Sequence, residues 1–367
     1  MRKLFFLSAA NSIHTVKWVN ALSKYYEVHL VFCPNHSPDV NKISSKVILH
    51  KLKYNAKKGY YINALQVKKI YRNINPDIIN VHYASGYGTL ARIARLPNVL
   101  LNVWGSDVYD FPNSSKFKER ILVKNVLWAK YLASTSNVMA NELKKHIPDL
   151  RNKIFITPFG VDLEKFKNYN AKKVGKLIKI GNIKSLEKIY GIDLLILSFK
   201  KLIDLLSNKG KKKISDNLRL LIYGDGSEKL NLDNLIINNH LENKVLLMGK
   251  ISNDEVPKVL NELDIFCATS LKESFGVSLV EAMACEKPIV ASNVDGFREV
   301  VDDGVTGIIV KKNEITEIAS ALEELVLNSK LREQMGIMGR KRAQEYFDWN
   351  KNVLQMLNIY DSMLKRG

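Results

Sequence analysis

The chain has 367 residues, 46% of them hydrophobic and 25% charged, with a formal net charge of +19. That balance excludes a disordered, collagen-like or disulfide-scaffold protein, and the length leaves room for two domains of ordinary size. No apolar run approaches the ~20 residues that cross a bilayer, so no membrane span is predicted.

The opening MRKLFFLSAANS resembles a secretion signal. Its apolar core, residues 4–7, is short, however, and Asn11-Ser12-Ile13-His14 follows at once, so it reads as a first buried strand. Cys33, Cys267 and Cys285 are scattered and lack metal-ligand spacing. They read as core residues of a protein in a reducing cytoplasm. The positive charge suits nucleic acid, an anionic membrane face or phosphate-bearing substrates. No nucleic-acid motif and no stripe of alternating aromatic and basic residues accompanies it. The Lys211-Lys212-Lys213 run sits among Asn, Gly, Ser and Asp and reads as a solvated loop.

In chain order, strand-like runs alternate with helical ones. Strands are expected at 3–7, 28–33, 78–82, 99–103, 131–134 and 154–156. Helices are expected at 16–25, 63–74, 89–94, 120–129 and 137–146. After Pro158-Phe159-Gly160-Val161-Asp162 comes a basic, weakly patterned stretch, 165–176, taken as the linker. The alternation then resumes, with strands at 177–180, 218–223, 245–248, 265–268, 288–292 and 308–310. Helices are expected at 192–206, 255–261, 277–286, 315–327, 331–347 and 349–364. Such alternation predicts parallel sheets covered by helices, here twice over, with ligands past the carboxyl ends of the strands. Two such domains are expected to face a cleft lined by the strand-end loops. None of the Gly-bearing loops is a complete dinucleotide or phosphate-loop fingerprint, and Gly224-Asp225-Gly226 alone says little.

One stretch, residues 272–290 (KESFGVSLVEAMACEKPIV), concentrates the chemistry. Glu273 stands before a Ser274-Phe275-Gly276 turn, a helix starts at Val277, and Glu281 lies about one turn inside it. Helix starts leave N–H groups that favour an anion, and Gly276 lets backbone approach a ligand closely. Glu281 can accept hydrogen bonds from a pair of hydroxyls, as on a ribose, and Glu273 can reach polar groups beyond a phosphate. Together these describe a nucleotide-sugar site. The plain alternative is a solvated turn before a core helix.

The glutamate pair around SFGVSLV closely resembles that of the family 4 glycosyltransferases (glycosyl transferases group 1). The resemblance is supported in order by Pro158-Phe159-Gly160-Val161-Asp162, Tyr223-Gly224-Asp225-Gly226, Met248-Gly249, Leu263-Asp264-Ile265-Phe266 and Gly304-Val305-Thr306-Gly307. It covers most of the chain and is strongest in the second half. It implies an α/β protein of the GT-B fold, with two Rossmann-like parallel-sheet domains facing a cleft. Residues 1–168 would form the acceptor side and 169–348 the donor side, with the helix at 349–367 packing back on the first domain.

The resemblance also implies roles. Glu281 would hold the donor ribose, Glu273 with the N–H groups of Ser274, Phe275, Gly276 and Val277 the transferred sugar and diphosphate, and residues 249–251 the base. The family's usual Arg and Lys for the diphosphate are replaced by Asn182 and Tyr190. The role is therefore shifted to Lys184, with Lys188 as second choice. In the first half, His14 faces the phosphates or caps the next helix. Trp104-Gly105-Ser106-Asp107 stands where relatives carry His-Gly-x-Asp, so Asp107 is the candidate for positioning the acceptor. His82 is either a substitute for the missing histidine or a buried structural one.

The activity so implied is retaining transfer of a hexosyl-type sugar from a UDP- or GDP-linked donor to a hydroxyl, without a metal or other cofactor. The expected acceptor is a lipid-linked glycan of surface-polysaccharide synthesis, met by a cytoplasmic protein at the inner membrane face. An anionic membrane surface is a compatible partner and nucleic acid is not expected. The other readings are an inactive nucleotide-binding scaffold of the same fold and a nucleotide-sugar epimerase.

Overall fold

The computed structural model describes residues 1–169 and 177–366. It divides into two compact units, Met1–Phe159 with Asn350–Gly367, and Gly160–Trp349.

The first unit is built on a seven-stranded sheet in the order β3-β2-β1-β4-β5-β6-β7. Its strands are β1 (Lys3–Leu7), β2 (Glu27–Phe32), β3 (Val47–Lys51), β4 (Ile78–His82), β5 (Leu100–Val103), β6 (Tyr131–Ser134) and β7 (Ile154–Ile156), and every pairing is parallel. Helices cover both faces of such a sheet, so central strands must be apolar throughout. Accordingly β4 and β5 are buried along their whole length. The two asparagines inside them are satisfied within the fold: Asn102 donates to Asn80 Oδ1, and Asn80 donates to the hydroxyl of Tyr360.

Tyr360 lies on the terminal helix Trp349–Arg366. That helix is fastened to the end of the sheet by Asn352 Nδ2 on the Pro158 carbonyl (2.7 Å) and Gln355 Nε2 on the Ile156 carbonyl (2.7 Å). It buries Val353, Met356, Tyr360 and Met363.

The second unit carries a six-stranded sheet, order β10-β9-β8-β11-β12-β13. Its strands are β8 (Ile178–Ile183), β9 (Leu218–Tyr223), β10 (Val245–Gly249), β11 (Ile265–Ala268), β12 (Ile289–Ser292) and β13 (Gly307–Val310), again parallel throughout. Its core joins Ile180, Leu220, Ile222 and Cys267 to Phe199 of the helix Ile192–Asn208 and Leu322 of the helix Ile315–Leu327. Cys33, Cys267 and Cys285 are all buried free thiols.

The sequence reading passed over β3, the helix Lys229–Asn238 and the helix Asp295–Val300. Only Val47 of β3 is buried, as befits an edge strand, so its sequence lacks the alternation that marks a half-buried one. The linker expected at 165–176 needs correction in its first part. Asp162 Oδ1 caps the N–H groups of Glu164 and Lys165, Lys165 pairs with Asp254 at 2.5 Å, and Phe166 is buried, so this segment is packed structure of the second unit. Residues 170–176 of that stretch lie outside the described residues.

Replacing Tyr360, which is fully buried, with Ala should remove about 3–5 kcal/mol of stability. Tyr360→Phe should cost about 1–3 kcal/mol by leaving Asn80 Nδ2 without its acceptor. Urea unfolding of the whole chain measures both. Equal stability of Tyr360→Phe and wild type would show that this bond contributes nothing net.

Candidate active site

In the second unit, the loop after β8 is laced to its neighbours on two sides. Towards β9, the N–H of Lys184 donates to the Tyr223 carbonyl (2.9 Å) and that of Leu186 to the Asp225 carbonyl (3.0 Å). The Glu187 carboxylate accepts from the Ser227 hydroxyl (2.6 Å). Towards β11, Thr269 Oγ1 donates to the Gly191 carbonyl (2.7 Å) and the Leu271 N–H to the Ile189 carbonyl (2.8 Å). Gly224 makes the first lacing feasible. Its φ is +154°, and a Cβ there would stand 1.9 Å from the Lys184 carbonyl oxygen. The Gly224-Asp225-Gly226 run, uninformative as sequence, is therefore what lets two strand-end loops touch.

The consequence is the position of Lys184. Its ammonium lies 2.5 Å from Glu273 Oε2 and 4.4 Å from the centre of the Tyr190 ring. The lysine and glutamate side chains are 23% and 15% exposed, so the pair is shielded but reachable. Tyr190, which stands where the family carries a cation, instead holds the neighbouring cation by its ring face. Lys188, the second choice for the diphosphate, is engaged elsewhere: its ammonium is 2.6 Å from Asp193 and its side chain is 69% exposed. Asn182 is buried and donates to the Cys267 carbonyl (2.7 Å), so it braces β8 against β11.

From Glu273 the chain passes through Ser274 and a buried Phe275, whose ring meets Phe347 edge-on, into the helix Val277–Ala284. Gly276 is the N-cap with φ +105° and has no side chain with which to cap the helix. A side chain at Gly276 would also meet the Phe297 ring at 2.9 Å. The helix buries Leu279, Val280, Ala282, Met283 and Ala284, leaving Val277, Ser278 and Glu281 half-buried on the remaining face. Beside Lys184 lies a cavity of about 370 Å³, lined by residues that include Tyr223, Asp225, Lys250 and Ile251. The structure thus brings Lys184, Glu273 and the residues 274–277 together, with Glu281 one turn along the helix. An ammonium and a helix start offer positive potential to an anion, and two carboxylates offer acceptors to hydroxyls.

The first unit gathers a separate cluster at the carboxyl end of its sheet. His14 stacks on Phe159 at 4.0 Å and meets Trp104 at 5.8 Å, while His82 lies 4.0 Å from Trp104. Burial, with a smaller push from Lys17, lowers His14 to about 4. Burial also pushes His82 well below the ordinary imidazole range, and neither of its ring nitrogens has a hydrogen-bond partner. Both imidazoles are therefore neutral near pH 7. His14 lies inside its helix, Ile13–Leu22, and is not the cap.

Asp107, the residue expected to position the acceptor, is bonded within the fold. It is 1% exposed, and its carboxylate accepts from the N–H groups of Ala84 (2.8 Å), Trp104 (3.0 Å) and Gly105 (2.9 Å). Burial raises its pKa against the opposing pull of those bonds. It organises the loops after β4 and β5. The sequence reading also missed Tyr83, whose left-handed φ of +67° is unusual for a bulky residue. No sequence signal marks that conformation.

The comparisons bear on both units. The profile for glycosyl transferases group 1 matches residues 164–342, and the profile for glycosyl transferase 4-like proteins matches residues 3–136. The chain belongs to the group 1, family 4-type glycosyltransferases. It is 27% identical over 364 residues to an uncharacterized glycosyltransferase of Methanocaldococcus jannaschii, covering 96% of this chain and 94% of that protein. Its fold matches that of sucrose-phosphate synthase from Thermosynechococcus elongatus at TM-score 0.84 and 17% identity, with full coverage of both chains. It also matches HepE of Anabaena, solved in complex with UDP, at TM-score 0.78 and 18% identity over 99% of this chain and 100% of that one. The GT-B fold of this glycosyltransferase is thus common to proteins of very different sequence.

Two outcomes are expected. Gly224→Ala should destabilise the chain by at least about 1–3 kcal/mol, because the new methyl collides with fixed backbone. Unchanged urea unfolding would show that the loop yields freely. A histidine whose folded pKa lies below its unfolded value contributes stability that is present above the unfolded pKa and lost as pH falls. His14 should therefore weaken the fold from its ordinary 6.5 down towards about 4. His14→Gln should flatten the measured loss across that window, and an unchanged slope would count against a buried neutral imidazole.

Proposed function

We propose that this glycosyltransferase takes its sugar from a nucleotide diphosphate donor, UDP- or GDP-linked, and transfers it to a hydroxyl with retention of anomeric configuration. The observation that carries the reading is the Lys184–Glu273 pair set beside a helix start with glycine at its N-cap and a cavity. An arriving diphosphate would compete with Glu273 for the Lys184 ammonium and accept from the N–H groups at residues 274–277. Glu281 would accept from the ribose hydroxyls, and the cavity near Lys250 and Ile251 would take the base. Glu273, released from the lysine, would turn to the hydroxyls of the transferred hexose. HepE, a neighbour in fold, is solved with UDP and with UDP-glucose, which supports a donor of this class.

In the proposed reaction the bond from the anomeric carbon to the phosphate oxygen breaks. The acceptor oxygen bonds to the same face of that carbon, and the departing diphosphate takes the acceptor proton. The positive groups lower the barrier because they are fixed where charge develops. Lys184 and the helix start supply this charge, so the proposal includes no metal ion. For the acceptor we propose a lipid-linked glycan of surface-polysaccharide assembly.

Thermal unfolding in the presence of UDP, GDP, ADP and their sugars tests the donor site. A nucleotide at 100 times its Kd should add ~2.7 kcal/mol of stability. The shift should vanish in Glu281→Ala and survive EDTA. No shift from any nucleotide would remove the donor assignment. A shift without turnover of donor would favour a binding scaffold, and loss of the shift in EDTA would require a metal.

A further inference from the structure

Residues 40–76 contain no Asp or Glu and nine cations: Lys42, Lys46, Lys51, Lys53, Lys57, Lys58, Lys68, Lys69 and Arg72. Among the described residues, the ion pair formed by these cations is Lys42 with Asp39 (3.5 Å). Within this tract lie the short helix Gly59–Ile62 and the helix Ala64–Ile74. The second helix buries Ala64, Val67 and Ile74 in the core. Leu65, Lys69 and Arg72, spaced four and three apart, fall along the opposite face, and Ile62 ends the short helix just before it. Leu65 is 83% exposed, Ile62 52% and Tyr61 50%, with Tyr54 at 42%. Aliphatic groups of this size are therefore held in solvent and bordered by unneutralised cations.

This face is built. The side chain of Asn63, 1% exposed, accepts from the Tyr54 N–H (3.1 Å) and donates to the Tyr54 carbonyl (2.8 Å), and Gln66 accepts from the Lys53 N–H (2.9 Å). Tyr60 packs edge-on against the buried Tyr87 at 5.2 Å. The segment follows β3, so it begins at the carboxyl end of the first unit's sheet, and the helix Ala64–Ile74 then runs back along the sheet to its amino end, where Lys3 Nζ donates to the Ile74 carbonyl (3.2 Å).

We propose that this face docks the protein on an anionic bilayer. Leu65 and Ile62 would enter the headgroup boundary, Tyr54 and Tyr61 would lie at its level, and the lysines would meet lipid phosphates. An apolar stripe rimmed by lysines with long alkyl stems fits a bilayer surface. Duplex nucleic acid would find few planar arginine forks here, since eight of the nine cations are lysines. The use of such docking, bringing a lipid-borne acceptor to the enzyme, rests on the proposed function, whereas the binding itself does not.

The test is co-sedimentation of the whole chain with vesicles of phosphatidylcholine, with and without phosphatidylglycerol, at low salt. Wild type should pellet with the anionic vesicles only. The triple variant Lys58→Gln, Lys69→Gln, Arg72→Gln should bind on the order of 100-fold more weakly. Ile62→Ser with Leu65→Ser should also weaken binding, while Lys211→Gln, Lys212→Gln, Lys213→Gln, which removes equal charge from the second unit, should not. Because the three native thiols are buried, Leu65→Cys can be labelled selectively with a polarity-sensitive fluorophore, which should shift to the blue on anionic vesicles. The proposal is overturned by absence of binding, by equal loss in the Lys211–213 variant, by intact binding of the serine variant, by an unshifted fluorophore, or by displacement with duplex DNA at equal phosphate concentration. The nucleotide-induced thermal shift should be the same in the Lys58 triple variant as in wild type, so failure of the docking surface and failure of the donor site are read separately.

Discussion

Parallel strands oblige every return connection to cross a face of the sheet as a helix, so all the loops that follow strands collect at one edge. Each unit of this protein obeys that constraint, and its chemistry-bearing residues sit where it sends them. In the second unit the edge is further ordered by backbone bonds that run from loop to loop, from Lys184 to Tyr223 and from Leu271 to Ile189. These bonds do not depend on side-chain identity except where a side chain would obstruct them. Gly224 is the residue at which the obstruction would be complete.

The ion pair that results is the element on which the proposed function turns. With no anion present, Lys184 and Glu273 neutralise each other at a site too shielded for either to remain unpaired cheaply. In the proposed function an anion that bound the ammonium would free the carboxylate to accept from hydroxyls, while the Tyr190 ring faces the lysine at 4.4 Å. This makes the replacement of the family's usual cations by Asn182 and Tyr190 intelligible. On the proposed assignment Lys184 would supply that charge, while Asn182 braces β8 against β11 and the Tyr190 ring faces the lysine.

The first unit shows a different economy. Asp107 uses its carboxylate on three N–H groups from two loops, and His14 and His82 are stacked among Phe6, Trp104 and Phe159 as neutral rings. Polar residues at a strand edge here shape the loops through burial. The net charge of the chain is likewise unevenly spent: residues 40–76 hold nine cations and no carboxylate, beside exposed aliphatic side chains.

Most strands and long helices were legible in the sequence because fully buried strands are apolar runs and helices repeat at their own period. β3 was not, because an edge strand with one buried residue carries no such pattern. The SFGVSLV segment, its flanking glutamates and the family they indicate were also determined by sequence alone, since a turn, a glycine and a helix start are local features. Tertiary structure alone decided that Lys184 rather than Lys188 meets Glu273, a contact across 89 residues of chain. It alone decided that Asp107 turns inward to the backbone. The physical reason is the same in both cases: a charged side chain is drawn to whichever partner the packed loops bring near, and that proximity is set by long-range backbone bonds that no local pattern records.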